Sequence, residues 1–227
     1  MIRALYISER ASLGGGQHSM LAVIRALHMR GVEYAVIVPS PGDLERECRA
    51  LGVPVFVKAC APLRGGRWRD IRDTRRVISS LVARQGIAVI HAESPRSGLY
   101  AMTVRRPLVF HARVGTRAWF FDRLLERGAN RIVCVSNDVA RRFSLAPEGR
   151  RPVIPNGVDL ALFCPSAEKR AGARRGWGIG DQPLIGMAAE VIPAKGIFDL
   201  VGVAATVQRT CPEARFMPGG LLQSGDK

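Results

Sequence analysis

The sequence predicts an α/β protein with a doubly wound, Rossmann-like parallel sheet, followed by an incomplete second unit of the same kind. Three observations carry this. Short runs rich in Val, Ile and Ala recur along the chain, amphipathic stretches of helical length separate them, and each gap has room for the crossover that parallel strands require. Apolar runs stop short of the roughly 18–20 residues a membrane-spanning helix needs.

The first strand is expected at 2–8. A helix over 17–30 follows, with Met20, Leu21, Ile24, Leu27 and His28 on one face and Gly31 as its stop. Strand 33–38, helix 42–51 and strand 53–57 come next. A helix over 68–85 then turns Ile71, Val77, Ile78, Leu81 and Val82 inward and Arg69, Arg72, Arg75, Arg76 and Arg84 outward. Strand 87–91, helix 96–104, strand 107–111, helix 117–127 and strand 131–135 continue the alternation, and Ser136 is placed to cap a helix over 137–144. A short strand at 152–154 is stopped by Pro155 and turned by Asn156-Gly157, a pair that accepts left-handed backbone angles readily.

After Pro165 the pattern restarts with a helix at 167–176, a strand at 183–189, a helix at 197–210 and a strand at 214–217. One strand-helix-strand unit cannot cover both faces of its own sheet. The expected division is therefore a domain over 1–165 and the truncated beginning of another over 166–227.

The 227 residues carry a net charge of +15, from 30 Arg and 4 Lys against 19 acidic residues. Codon bias accounts for an Arg excess as readily as a basic partner surface does, yet the field attracts phosphate-rich partners either way. Nucleic-acid grooves interleave basic groups with stacking rings, and Trp68 is the only aromatic in the Arg-rich stretch 64–84, so a nucleic-acid partner is not expected. Five scattered cysteines without a Cys-x-x-Cys argue for neither a disulfide framework nor a zinc site, and no metal or cofactor is expected. The chain reads as soluble and cytoplasmic.

Gly14-Gly15-Gly16 lies between the first strand and the first helix, where bare backbone and free helix-start amides suit a phosphate. A nicotinamide dinucleotide site is disfavoured. The spacing lacks the third glycine, five residues precede the first, and the second strand ends at Val38-Pro39-Ser40 with no acid for a ribose. His91 and His111 both end strands, which puts them at the edge where ligands gather in such sheets.

Four segments together resemble glycosyltransferase family 4: Gly14-Gly15-Gly16-Gln17-His18-Ser19-Met20-Leu21, the strand ending at His111, Val153 to Pro165 with its Asn156-Gly157-Val158-Asp159, and Gly186 to Gly196 with Lys195-Gly196. They occur in family order and cover essentially the whole chain. The resemblance implies the two-domain GT-B architecture and a retaining, metal-independent transfer of a sugar from a nucleotide diphosphate sugar to a glycan or lipid-linked acceptor. The first domain would shape the acceptor site and the second would hold the donor.

On that resemblance Gly14, Gly15, Gly16, Lys195 and Gly196 meet the donor diphosphate, and His111 is the catalytic contact near the reaction centre. His91, Glu93, Arg113, Asn156 and Glu190 are further cleft candidates. Glu93 stands where the family often has a second His, and Glu190 where it has an Arg; a carboxylate there repels a diphosphate. The family's paired glutamates, eight apart, are not within these residues. Two alternatives remain: a catalytically inactive fragment, or a basic module on an anionic membrane, peripheral on its inner face, held by Arg64, Arg67 and the arginines of helix 68–85.

Overall fold

The computed structural model describes residues 2–63, 65–189 and 191–219. The chain divides into two compact units, Met1–Asp159 and Leu160–Lys227.

The first unit is built on six parallel strands: β1 (Ile2–Ile7), β2 (Val32–Val38), β3 (Val55–Val57), β4 (Val89–Ala92), β5 (Leu108–Ala112) and β6 (Arg131–Cys134). Their order is β3-β2-β1-β4-β5-β6. The chain winds outward one way from β1 and the other way from β4, so a crevice opens between the carboxyl ends of those two neighbours.

Neighbouring residues of each strand feed opposite cores, which is why the strands read as continuous apolar runs. Ala4, Tyr6, Tyr34, Val36 and Val38 pack under α1 (Gly15–His28) and α2 (Asp43–Ala50) with Met20, Leu21, Ile24 and Leu44. Leu5, Ile7, Ile37, Ile90, Phe110 and Ile132 pack under α3 (Trp68–Arg84), α4 (Pro95–Met102), α5 (Trp119–Gly128) and α6 (Asn137–Arg142).

Several local expectations hold for the physical reasons given. Gly31 follows α1 at φ +79°, left-handed, where a glycine costs little. Ser136 caps α6, its hydroxyl accepting from the Val139 amide at 3.2 Å. On α3, Ile78 and Val82 are buried, and Arg69, Arg72, Arg75, Arg76 and Arg84 are exposed. Buried Thr74 lies on the same inner face. Its hydroxyl donates to the Asp70 carbonyl at 2.9 Å and accepts from the Ala61 amide at 3.3 Å, so the polar group is satisfied.

Other expectations are corrected. His28, in the last turn of α1, is exposed rather than on its buried face. The strand at 152–154 is a single bridge, Val153 to Cys134, on the outer edge of β6. Neither Asn156 nor Gly157 has a positive φ, and no turn forms at the pair; the chain first turns at Leu160. Asn156 is used for its side chain instead, as the site shows.

The second unit pairs β7 (Leu184–Ala188) and β8 (Arg215–Gly219) in parallel, with α7 (Ala167–Gly176) before them and α8 (Ile197–Val207) between. Arg174 of α7 is buried and donates to the backbone carbonyls of Gly180 (2.7 Å from Nε) and Gln182, which ties the helix to the approach of β7. Among the described residues no helix is long and apolar enough to cross a membrane.

Candidate functional site

The polar residues of the first unit converge at the carboxyl ends of β1, β4 and β5. Helix α1 starts at Gly15, two residues earlier than the periodicity predicts, so Gly15 and Gly16 form its first turn. Their amides are among the donors a helix start leaves unused, and the helix dipole adds positive potential there. Gln17 holds this turn in place. Its Oε1 accepts from the Gly14 amide at 3.2 Å, while its Nε2 donates to Glu93 Oε1 at 3.0 Å, just beyond β4.

The three glycines differ in what surrounds them. A Cβ on Gly15 would meet nothing within 4 Å, so that side of the residue is open space. A Cβ on Gly16 would sit 3.3 Å from Arg113 Cδ, and one on Gly14 3.2 Å from Gln17 Oε1. Gly15 is unobstructed, whereas Gly16 leaves room for the Arg113 side chain.

His91 on β4 and His111 on β5 stack, with ring centroids 5.5 Å apart and planes 13° from parallel. Tyr6 meets the His91 ring edge-on at 5.1 Å, and Tyr34 Oη lies 3.5 Å from His91 Nδ1. All four share the α1 side of the sheet, because Tyr6, Tyr34, His91 and His111 stand at same-parity positions of paired strands. Burial pushes His91 down to about 3, helped by the neighbouring His111 and Arg113 charges. His111 falls to about 4 through burial and then Arg113. Both rings are therefore neutral near pH 7. Burial raises Tyr34 to about 12; burial, with the Glu93 carboxylate beside it, holds Tyr6 well above its ordinary value, so both hydroxyls stay protonated. The Nε2 atoms of both histidines and Tyr6 Oη are buried without a hydrogen-bond partner.

Arg113 follows β5 by one residue and closes the cluster. Its Nε is 3.3 Å from Glu93 Oε2, a charge contact outside hydrogen-bond geometry, and its NH1 donates to Asn156 Oδ1 at 3.2 Å. The same Asn156 oxygen accepts from Ser19 Oγ at 2.9 Å. Asn156 thus fastens the segment after β6 to α1 and to β5. Further along, the buried Arg142–Asp122 pair (Nε to Oδ2, 2.8 Å) braces the loop after Arg113: Arg142 NH1 donates to the Val114 carbonyl and Asp122 Oδ2 accepts from the Ala118 amide.

In the second unit Lys195 ends a single 3-10 turn and is exposed, and Gly196 is left-handed at φ +79° where α8 begins. A glycine is needed there to pass from one helix to the other. The carboxylate of Asp199 lies in that first turn, partly offsetting the helix dipole. Glu190 and Arg64 lie outside the described residues.

Sequence reasoning brought His91, Glu93, His111, Arg113, Asn156 and the glycine loop to one edge, and the fold assembles them. It missed Tyr6, Gln17, Ser19 and Tyr34. Tyr6 and Tyr34 were detectable as the lone hydroxyls of β1 and β2. Gln17 sits three residues past the helix cap, where a side chain can reach back to the free amide.

A cavity of about 390 Å³ opens at the opposite, amino edge of the sheet, lined by Arg3, Ile24, His28, Tyr34 and Val53 among others. Its charges are already met. Arg3 is paired with Glu33 and donates to the Gln85 carbonyl at 2.8 Å, and Arg25 faces Glu47 at 3.8 Å. Among the described residues the buried side-chain atoms left unmet are at the carboxyl edge, which makes that edge the stronger candidate.

Residues 13–162 match the profile of Glycosyltransferase Family 4. A GDP-mannose-dependent alpha-mannosyltransferase of Mycobacterium tuberculosis is 29% identical over 90% of this chain and 60% of its own length. A GDP-mannose-dependent alpha-(1-6)-phosphatidylinositol monomannoside mannosyltransferase of Mycolicibacterium smegmatis is 29% identical over 40% of this chain and 24% of its own. HepE of Anabaena, crystallised with UDP and glucose, superposes with a TM-score of 0.79 at 18% identity, over 98% of this chain and 62% of that one. MurG of Acinetobacter baumannii gives a TM-score of 0.60 at 14% identity, over 96% and 68%. At such identities the structural likeness speaks for the fold. The chain spans less than two thirds of the length of both mannosyltransferases and of HepE.

Proposed function

Because the chain belongs to Glycosyltransferase Family 4, we propose that it supplies the acceptor-side domain and the beginning of the donor-side domain of a retaining sugar transferase. The donor is a nucleotide diphosphate sugar, the acceptor a glycan or lipid-linked hydroxyl, and the reaction cytoplasmic, with residues 1–165 and 166–227 as the two parts. The observation that carries this reading is the convergence at one sheet edge of the start of α1 and the end of β5, through the approach of Gly16 to Arg113 and the stacked His91 and His111 rings. The amides receive negative charge, and the imidazole offers a hydrogen bond to a sugar hydroxyl without adding a cation. On the family resemblance, Lys195 and the helix start at Gly196 are proposed as diphosphate contacts of the second unit, a cation and a helix dipole that ask for no metal.

The test is sugar transfer from GDP-mannose and UDP-glucose, in a hybrid carrying this chain to Asp159 and the remainder of the M. tuberculosis relative. Gly15→Val fills the open face and should cut transfer about 100-fold or more; His111→Ala should lower turnover about 30- to 1000-fold, a larger effect than its loss of stability. Unchanged transfer in both variants contradicts the assignment.

An anionic membrane is a second partner, favoured by one feature of the outer layer. The exposed arginines of α3 lie on the same side of the sheet as Trp119 and Phe120 of α5, which are 72% and 60% exposed. Each cation adds roughly 1 kcal/mol at such a surface. Co-sedimentation should be seen with anionic vesicles and lost in high salt or on changing Arg69, Arg72, Arg75 and Arg76 to Gln. Equal binding to neutral vesicles counts against it.

A further inference from the structure

Arg113 is a buried guanidinium whose donors are poorly met. Its side chain is 10% exposed, its NH2 has no partner, and its Nε touches Glu93 Oε2 at 3.3 Å without hydrogen-bond geometry. NH1 reaches only the neutral, exposed Asn156. Burying a cation this way is costly, and such under-paired groups in a native fold call for an explanation.

The surroundings supply one. Glu93 is firmly placed, since its Oε1 accepts from Gln17 Nε2 at 3.0 Å and from Ser8 Oγ at 3.4 Å. It anchors the Nε edge of Arg113 and leaves the NH1 corner to a competitor. The side chain lies directly on the first turn of α1, where Gly16 lacks the Cβ that would press on Arg113 Cδ. A helix start and a guanidinium therefore stand side by side, and a phosphate satisfies both far better than an amide oxygen can.

Resting on the reading of this edge as a diphosphate site, we propose that Arg113 is a phosphate ligand of the first unit. When a phosphate settles on the amides of Gly15 and Gly16, the NH1 corner exchanges Asn156 for a phosphate oxygen while Glu93 keeps the Nε edge in place. Gly16 then serves the arginine and Gly15 serves the ligand, which divides the glycine loop between two tasks.

Calorimetric titration of the 227-residue chain with inorganic pyrophosphate, UDP and GDP tests this. Arg113→Gln should weaken all three about 10- to 100-fold, the range expected for one charge-assisted hydrogen-bonding group, and Arg113→Lys should recover part of the loss. Removing the cation alone strands the Glu93 carboxylate, so the double variant Glu93→Gln, Arg113→Gln is measured beside it; it should stay folded by circular dichroism and still bind weakly. If the parent binds diphosphate and the folded double variant binds equally well, the proposal is overturned and the site reading stands. If the parent binds none of the three, both fall.

Discussion

β1 and β7 have similar composition, Ile-Arg-Ala-Leu-Tyr-Ile against Leu-Ile-Gly-Met-Ala, yet the last four residues of β1 are all buried and none of β7 is. The helices that follow differ in the same way. α1 buries Gln17, Met20, Leu21 and Ile24, whereas the more apolar α8 buries nothing and leaves Phe198 71% and Val201 64% exposed. Composition makes these elements; coverage decides what they are worth. The first sheet has helices on both faces and two continuous cores, while among the described residues the second has two strands and one helix between them. Burying a Val or Phe fully is worth roughly 1.5–3 kcal/mol, and α8 collects little of it.

The largest expected consequence is a difference in local stability. Limited proteolysis should remove the second unit first and leave a resistant core ending near Asp159 to Pro165, because a two-stranded sheet is marginal alone. Equal resistance along the described chain would break the comparison.

A smaller effect sharpens it. All four histidines lie in the first unit, and His91 and His111 are held at about 3 and about 4 against an ordinary 6.5. Below pH 6.5 the unfolded chain takes up protons that these folded rings refuse, so stability should decline as pH falls from 6.5 through 4 and level off only near 3. Above 6.5 these two groups should contribute no slope. Thermal unfolding between pH 4 and 8 checks this, and replacing both histidines with Asn should flatten the acid limb. A transition insensitive to pH in that window would mean the rings are not buried as described.

The sequence disclosed most of the fold because parallel strands covered on both sides read as uninterrupted apolar runs, and because Gly31 and Ser136 mark helix ends by local chemistry. His111 and His91 were found from their place at strand ends. What stayed hidden depends on distance across the sheet. Asn156 and Arg113 are 43 residues apart in sequence and Gln17 and Glu93 are 76 apart, so nothing local signals that they meet. Asn156-Gly157 misled for the complementary reason: a dipeptide that favours a turn in isolation was held extended, with the asparagine side chain engaged by Ser19 and Arg113. The length of α1 was likewise set by tertiary contacts, with Gln17 securing a first turn of two glycines that propensity alone would leave frayed.

The central claim is that ligand enters at the carboxyl edge of the first sheet and is received by the start of α1. Amide hydrogen exchange of the chain, with and without saturating GDP or UDP, tests it most directly. Slowed exchange should appear at the amides of Gly15 to Ser19, with the amino-edge cavity by Arg3 and Val53 unchanged. Protection at that amino edge and none at the start of α1 would contradict the account.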